Sequence, residues 1–253
     1  MLQFNSKTIS IASVFGMIKQ LFLHFFFPRT CLACGCDLPR QSEGFLCPAC
    51  ESLLKEPGPL ICQRCGVVLK SGGAHCYACR GSKSRAYKCA CIRSAFEFNA
   101  SSRALVHALK YTGFDYVAPV MGAYMAEKFV KYPELADAEI VMPVPLFPKK
   151  HKKRGYNQSE CLARTFSEKT GIVMDTRTLV RSRDTVSQTT LGRSGRLANM
   201  TGAFACVRPQ VVKGKTLLLI DDVATTGATL EGCAVALKQA GAKKVLAFTF
   251  ARE

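Results

Sequence analysis

The segment Leu217–Leu230, LLLIDDVATTGATL, constrains the fold more than any other part of this 253-residue chain. Four consecutive apolar residues, Leu217 to Ile220, predict a strand buried on both faces, as in a parallel sheet. Asp221 and Asp222 follow at its carboxyl end, and Ala224 to Thr229 predicts a turn into a helix that continues from Leu230. Open α/β sheets bind their ligands at this end of the strands. Thr225, Thr226 and Thr229 offer hydroxyls, Gly227 allows close backbone approach, and free N–H groups around Ala228 at the helix start make an anion cradle. A sugar 5′-phosphate fits there, and the two carboxylates suit ring hydroxyls. An ordinary strand leading into an Asp-capped helix leaves the Thr-Thr-Gly-Ala-Thr turn unexplained.

Cysteine placement divides the chain. Eleven of the fourteen cysteines fall between Cys31 and Cys91, and eight of them form four Cys-x-x-Cys pairs: Cys31/Cys34, Cys47/Cys50, Cys62/Cys65 and Cys76/Cys79. Each pair aims two thiolates at one ion, so two pairs close a tetrahedral Zn²⁺ site. The spacers of twelve and ten residues inside the two halves suit zinc ribbons. Two consecutive four-cysteine sites are expected, with an interleaved cross-brace as the alternative pairing. Gly35 and Gly66 follow a knuckle where the turn favours positive φ. A disulfide framework would imply export, whereas the remainder of the chain reads as a cytoplasmic nucleotide-handling domain. Cys36, Cys89 and Cys91 are left over.

The motif around Asp221 and Asp222 resembles the phosphoribosyl diphosphate (PRPP) site of type I phosphoribosyltransferases. From Cys31 onward the chain is similar to the ComF family, which joins such a domain to an amino-terminal zinc ribbon. Further anchors of the resemblance are PVPLFPKKHKKRGYNQSE at Pro143–Glu160, SQTTLGRSGRLANMTGAF at Ser187–Phe204 and LVHALKY at Leu105–Tyr111. The resemblance implies an α/β fold with a parallel sheet, PRPP and Mg²⁺ as ligands, and a role in natural competence, the uptake or use of external DNA. It also implies site residues: Asp221 and Asp222 on the ribose, and Ala224, Thr225, Thr226, Gly227, Ala228 and Thr229 on the 5′-phosphate. The turn Pro145–Arg154 becomes the diphosphate loop, with Lys149, Lys150 and the fork-shaped guanidinium of Arg154. Lys150 replaces the family's usual Arg there, and Phe147 its frequent His. Arg183–Asn199 matches a hood loop that closes over PRPP, in which Arg196 is the expected catalytic residue beside the two aspartates. Lys110 matches a family Lys-Tyr pair.

Charge fits a polyanionic ligand. The net charge is +17, and Pro145–Lys215 holds fifteen Lys or Arg against four acids while both flanks are nearly neutral. Such a surface attracts phosphates of any origin. Single-stranded DNA is therefore an expected partner beside PRPP, and the resemblance implies DNA-processing or competence proteins as further ones.

Three segments follow: an apolar helix over residues 1–30, a double ribbon over 31–82 and the phosphoribosyltransferase-like domain over 83–253. Ile11, Val14, Phe15, Ile18, Leu21, Phe22 and Phe25 recur at helical spacing, while Lys19, Gln20 and His24 interrupt the apolar run. That pattern predicts a helix docked on the ribbon or the domain rather than membrane contact through residues 9–27. A linker is expected near Lys83–Cys91. Beyond it the pattern predicts helices at Ser101–Tyr111, Tyr116–Lys131, Gln158–Thr170 and Thr229–Ala240. Strands are predicted at Glu139–Val144, Thr178–Arg181 (a short edge), Ala203–Val207, Lys215–Ile220 and Val245–Phe250. The motif specifies the donor and is silent on the acceptor. A transferase, a non-catalytic single-stranded-DNA-binding accessory protein and a PRPP-sensing regulator all remain compatible with it.

Overall fold

The computed structural model describes residues 29–39, 42, 44–80, 87–111, 115–183 and 202–253. The expected helix at 9–27, Arg196 and most of the expected hood loop lie outside the described residues. In chain order the elements are α1 (Pro48–Glu51), α2 (Tyr77–Arg80), β1 (Cys91–Glu97), α3 (Ala100–Lys110), α4 (Ala118–Phe129), β2 (Ile140–Pro143), α5 (Pro148–Arg154), α6 (Gln158–Thr170), β3 (Val173–Met174), β4 (Leu179–Arg181), β5 (Phe204–Cys206), α7 (Pro209–Val212), β6 (Thr216–Ala224), α8 (Ala228–Gln239) and β7 (Lys244–Arg252).

Five strands form one parallel sheet in the order β1-β7-β6-β2-β3. The runs in β6 and β7 show why it must be covered on both sides. Leu218, Ile220, Leu246, Phe248 and Phe250 enter the core shared with α3, α4 and α6, whereas Leu217, Leu219, Val245 and Ala247 enter the core shared with α8. Successive side chains of a strand point to opposite faces, so an unbroken apolar run needs a helical layer on each. Fully burying one such side chain contributes about 1.5–3 kcal/mol.

Helix ends follow local chemistry. Asn99 caps α3, its side chain accepting from the Ser101 and Ser102 backbone while the Ser102 hydroxyl returns a bond to the Asn99 backbone. Asn157 caps α6 through Ser159 N–H, and Gly171, at φ 74°, ends it in the left-handed region that glycine tolerates best.

Four expectations need correction. Asp221 and Asp222 lie within β6 rather than beyond its end, because the ladder with β7 continues to Ala224↔Arg252. The expected turn at Pro145–Arg154 contains a helix: Pro148 presets its first turn and Gly155, at φ 87°, closes it. Leu179–Arg181 pairs antiparallel with Phe204–Cys206 in a separate two-stranded sheet instead of extending the main one. The expected linker, finally, ends in β1, an edge strand pairing with β7 from Cys91↔Leu246 to Glu97↔Arg252.

Candidate functional site

The parallel sheet brings three distant segments to the carboxyl end of β6. Asp221 Oδ1 accepts from Ser159 Oγ at 2.7 Å and from the Asp222 backbone N–H at 2.9 Å. Asp222 Oδ1 accepts from the Val223 N–H at 2.7 Å, and Lys110 Nζ at the end of α3 lies 3.1 Å from Asp222 Oδ2. That last oxygen is buried and accepts no aligned hydrogen bond, so the lysine offsets its charge while leaving an acceptor available. Burial first, then the neighbouring Asp222 charge, pushes Asp221 up to about 7. Two adjacent carboxylates held this way are arranged for hydroxyl donors or a cation rather than for structural pairing.

The turn after β6 has the shape its residues predicted. Gly227 sits at φ 75° immediately before α8, and the Thr226 hydroxyl accepts from the Ala228 N–H at 3.3 Å. A Cβ at Gly227 would come within 2.8 Å of Ile92 Cδ1. Ala224 through Thr229 thus run from the end of β6 through a three-residue turn, Thr225 to Gly227, into the first turn of a twelve-residue helix.

The basic segment stands beside this loop's sheet edge and is mostly free. Lys149, Lys150, Lys152 and Lys153 on α5 are exposed, and among the described residues none forms an ion pair. Arg154 donates to Gln158 Oε1. Tyr156 Oη lies 2.7 Å from both the Leu109 and the Tyr111 carbonyl oxygens and shares its one proton between them, which fixes the end of α3 that carries Lys110. Ser159, Tyr156 and Asn157 escaped the sequence reading although they stand in the quoted segment RGYNQSE. Their polar side chains carry no periodic signal, and only the fold reveals their partners: Asp221 in β6 for Ser159, the Val144 carbonyl for Asn157 and the end of α3 for Tyr156.

All fourteen cysteines are free thiols. Cys62, Cys65, Cys76 and Cys79 place their sulfurs within 4.8 Å of one another, as a tetrahedral site requires. That is the second cluster in chain order; the first, of the same tightness, comprises Cys31, Cys34, Cys36 and Cys47. Cys50, expected in that cluster, is buried beside it in α1, and contact with Cys34 pushes its thiol up. The first cluster therefore offers five sulfurs. The knuckles are structural duplicates: Thr30↔Asp37 and Ile61↔Val68 are matching bridges, and Gly35 and Gly66 turn at φ 74° and 70°. In both, the first cysteine's N–H closes the turn, on the carbonyl of Cys36 in one and of Val67 in the other, at 2.8 Å each. Cys36 is thus the extra thiol, standing where the second knuckle has valine. Thiolate sets of this kind suit zinc.

Among the described residues no helix is long and apolar enough to cross a membrane. Residues 22–80 match the double zinc ribbon domain family and residues 147–253 the phosphoribosyl transferase domain family. Over nearly its whole length the chain is similar to bacterial proteins of one type. It is 26% identical over 228 residues to the DNA utilization protein YhgH of Salmonella typhimurium, covering 89% of this chain and 97% of that protein. It is 27% identical over 236 residues to the competence protein ComFC of Streptococcus pneumoniae, covering 88% and 99%. Competence protein F of Haemophilus influenzae is 26% identical over 231 residues, covering 90% and 98%.

Proposed function

We propose that this ComF/YhgH homologue, a double zinc ribbon joined to a phosphoribosyltransferase domain, binds PRPP with Mg²⁺ and transfers its ribosyl phosphate to an acceptor during DNA utilisation. The observation that carries this reading is the buried Asp221–Asp222 pair, held by Ser159 and Lys110 in the strand that leads into the Gly227 turn. Backbone N–H groups of Thr225 to Thr229 would hold the 5′-phosphate, and the two aspartates would accept the ribose 2′- and 3′-hydroxyls. Lys149, Lys150 and Arg154 would meet the diphosphate, and Arg196 is the further catalytic residue of this reading.

In the transfer, a bond from the acceptor to the anomeric carbon forms as the carbon–oxygen bond to diphosphate breaks, and diphosphate departs with the electron pair. Positive charge develops on the ribose ring, and the buried carboxylates beneath it stabilise that charge. Holding donor and acceptor in line supplies much of the remaining rate. The unaligned oxygen of Asp222 and the carboxylate-rich site fit a hard cation, and bound Mg²⁺ would neutralise the leaving diphosphate. The eight knuckle cysteines would hold structural Zn²⁺.

Millimolar PRPP and Mg²⁺ are expected to raise the unfolding temperature, since ligand at about a hundred times its Kd adds about 2.7 kcal/mol. Labelled PRPP incubated with a panel of bases, amines and nucleic acids then tests turnover by diphosphate release. No shift with PRPP overturns the donor site, while a shift without release against any acceptor makes the protein a PRPP sensor.

A second reading concerns the same surface. Four exposed lysines on α5, with no carboxylate partner among the described residues, exceed what one diphosphate requires, and they support nonspecific contact with single-stranded DNA in the sense of the relatives' names. On this reading the protein acts in the cytoplasm on DNA entering the cell.

A further inference from the structure

Arg252, at the end of β7, is a buried cation, 7% exposed, with no side-chain carboxylate partner among the described residues. Its guanidinium faces the Cys65 thiol and donates to main-chain oxygens on three segments. Nε donates to the main-chain oxygen of Cys65 at 2.8 Å, and Nη1 to those of Ala224 at 2.6 Å, of Thr225, and of Glu253 at 2.8 Å. One guanidinium thereby joins the second cysteine knuckle to the two residues that enter the phosphate loop. Burying a charge is costly unless it is paired. A nearby anion removes that cost, and four thiolates around one Zn²⁺ sum to a net charge of about −2.

Ile92 makes a second connection between the same two places. Its N–H donates to the Arg64 carbonyl inside the knuckle at 2.8 Å. A Cβ at Gly66 would lie 2.5 Å from the Ile92 carbonyl oxygen, and one at Gly227 would lie 2.8 Å from Ile92 Cδ1. Both glycines are in the left-handed region; Gly66 lies close against the Ile92 backbone and Gly227 against the tip of its side chain, so the edge strand packs between knuckle and loop. The first cluster has no such route: Cys31, Cys47 and Cys50 pack into the core shared with α3 and α4.

We infer that Arg252 is a positioning residue of the PRPP site, pinning the Ala224–Thr229 loop to the second cysteine cluster so that metal in this cluster holds the loop in its anion-binding shape. The inference rests on the PRPP reading above. It assigns the second ribbon to the donor site itself. Metal loss or thiol oxidation at Cys62, Cys65, Cys76 or Cys79 then weakens PRPP binding without touching a PRPP-contacting residue.

The test uses the full-length, zinc-loaded chain and three variants: Arg252→Lys, which keeps the charge but loses the fork, Cys79→Ser, and Leu135→Ala, a core change remote from the loop. Zinc content, amide hydrogen exchange of residues 224–229 and calorimetric PRPP affinity with Mg²⁺ are measured for each. Arg252→Lys is expected to keep its zinc, to speed loop exchange about tenfold and to weaken PRPP about tenfold, as loss of a charge-assisted hydrogen bond requires. Cys79→Ser is expected to lose one zinc and reproduce the loop change, whereas Leu135→Ala leaves loop exchange as in the parent. Unchanged loop exchange in both Arg252→Lys and Cys79→Ser overturns the inference. Loosened loops in a protein that never binds PRPP keep the Arg252 pin and overturn the donor assignment instead.

Discussion

Ser159 Oγ lies 2.7 Å from Asp221 Oδ1, although the two residues are sixty-two positions apart. The contact couples the capped start of α6 to the acidic pair in β6, and it decides which carboxylate oxygen is already occupied before any ligand arrives. Asp222, with Oδ2 accepting no hydrogen bond, is left as the more available acceptor.

The raised Asp221 gives a pH signature. Its carboxyl, ordinarily near 3.8, is pushed up to about 7 by burial and by Asp222, so between these values the folded chain holds a proton that the unfolded chain has released. The stability it contributes is present in acid and is lost as the pH rises towards and through 7. Asp221→Asn keeps an acceptor for Ser159 and removes the titration. At pH 8 without ligand the variant is expected to be more stable than the parent by up to about 4 kcal/mol, yet to have lost PRPP binding. Denaturant unfolding at pH 5 and pH 8 checks this, and an identical pH dependence in both proteins refutes it.

Tyr156 should matter to binding more than to folding. Its hydroxyl bonds to the Leu109 and Tyr111 carbonyls hold the helix end that presents Lys110 to Asp222. Tyr156→Phe is expected to weaken PRPP about fivefold, equivalent to about 1 kcal/mol. Calorimetry at constant Mg²⁺ reads the change, and an unaltered affinity removes Tyr156 from the site.

The two thiol clusters predict close to two zinc ions per chain, by analogy with structural four-thiolate sites. Cys62→Ser is expected to lose one. In the first cluster, the duplication of the knuckles makes Cys36 the dispensable sulfur, because its counterpart is Val67. Elemental analysis of Cys36→Ser should still give two ions and of Cys50→Ser one. The reverse result makes Cys36 the ligand.

Single-stranded DNA binding through α5 predicts a steep salt dependence. Replacing Lys149, Lys150, Lys152 and Lys153 together by Ser should flatten the log–log slope by about three units, at about 0.7 per phosphate contact. PRPP is expected to compete for part of this surface. An unchanged slope, or no binding at low salt, leaves the helix to PRPP or to solubility.

The sequence by itself determined the local features: the buried run before Asp221, the glycine turn after it, the duplicated cysteine knuckles and the helix ending at Gly171. Each is written in adjacent residues, through strand alternation, positive φ or ligand spacing, and so is readable without a fold. It did not reveal that β6 runs on past the aspartates, since that ladder is closed by β7, nor that Pro148–Arg154 coils into a helix. Only the tertiary structure joined Ser159 to Asp221, Lys110 to Asp222, Cys36 to the first thiol cluster and Arg252 to both Cys65 and Ala224. These partners are polar and aperiodic, and the parallel crossovers that align their strands and helices, rather than any neighbouring residue, bring them within hydrogen-bonding reach.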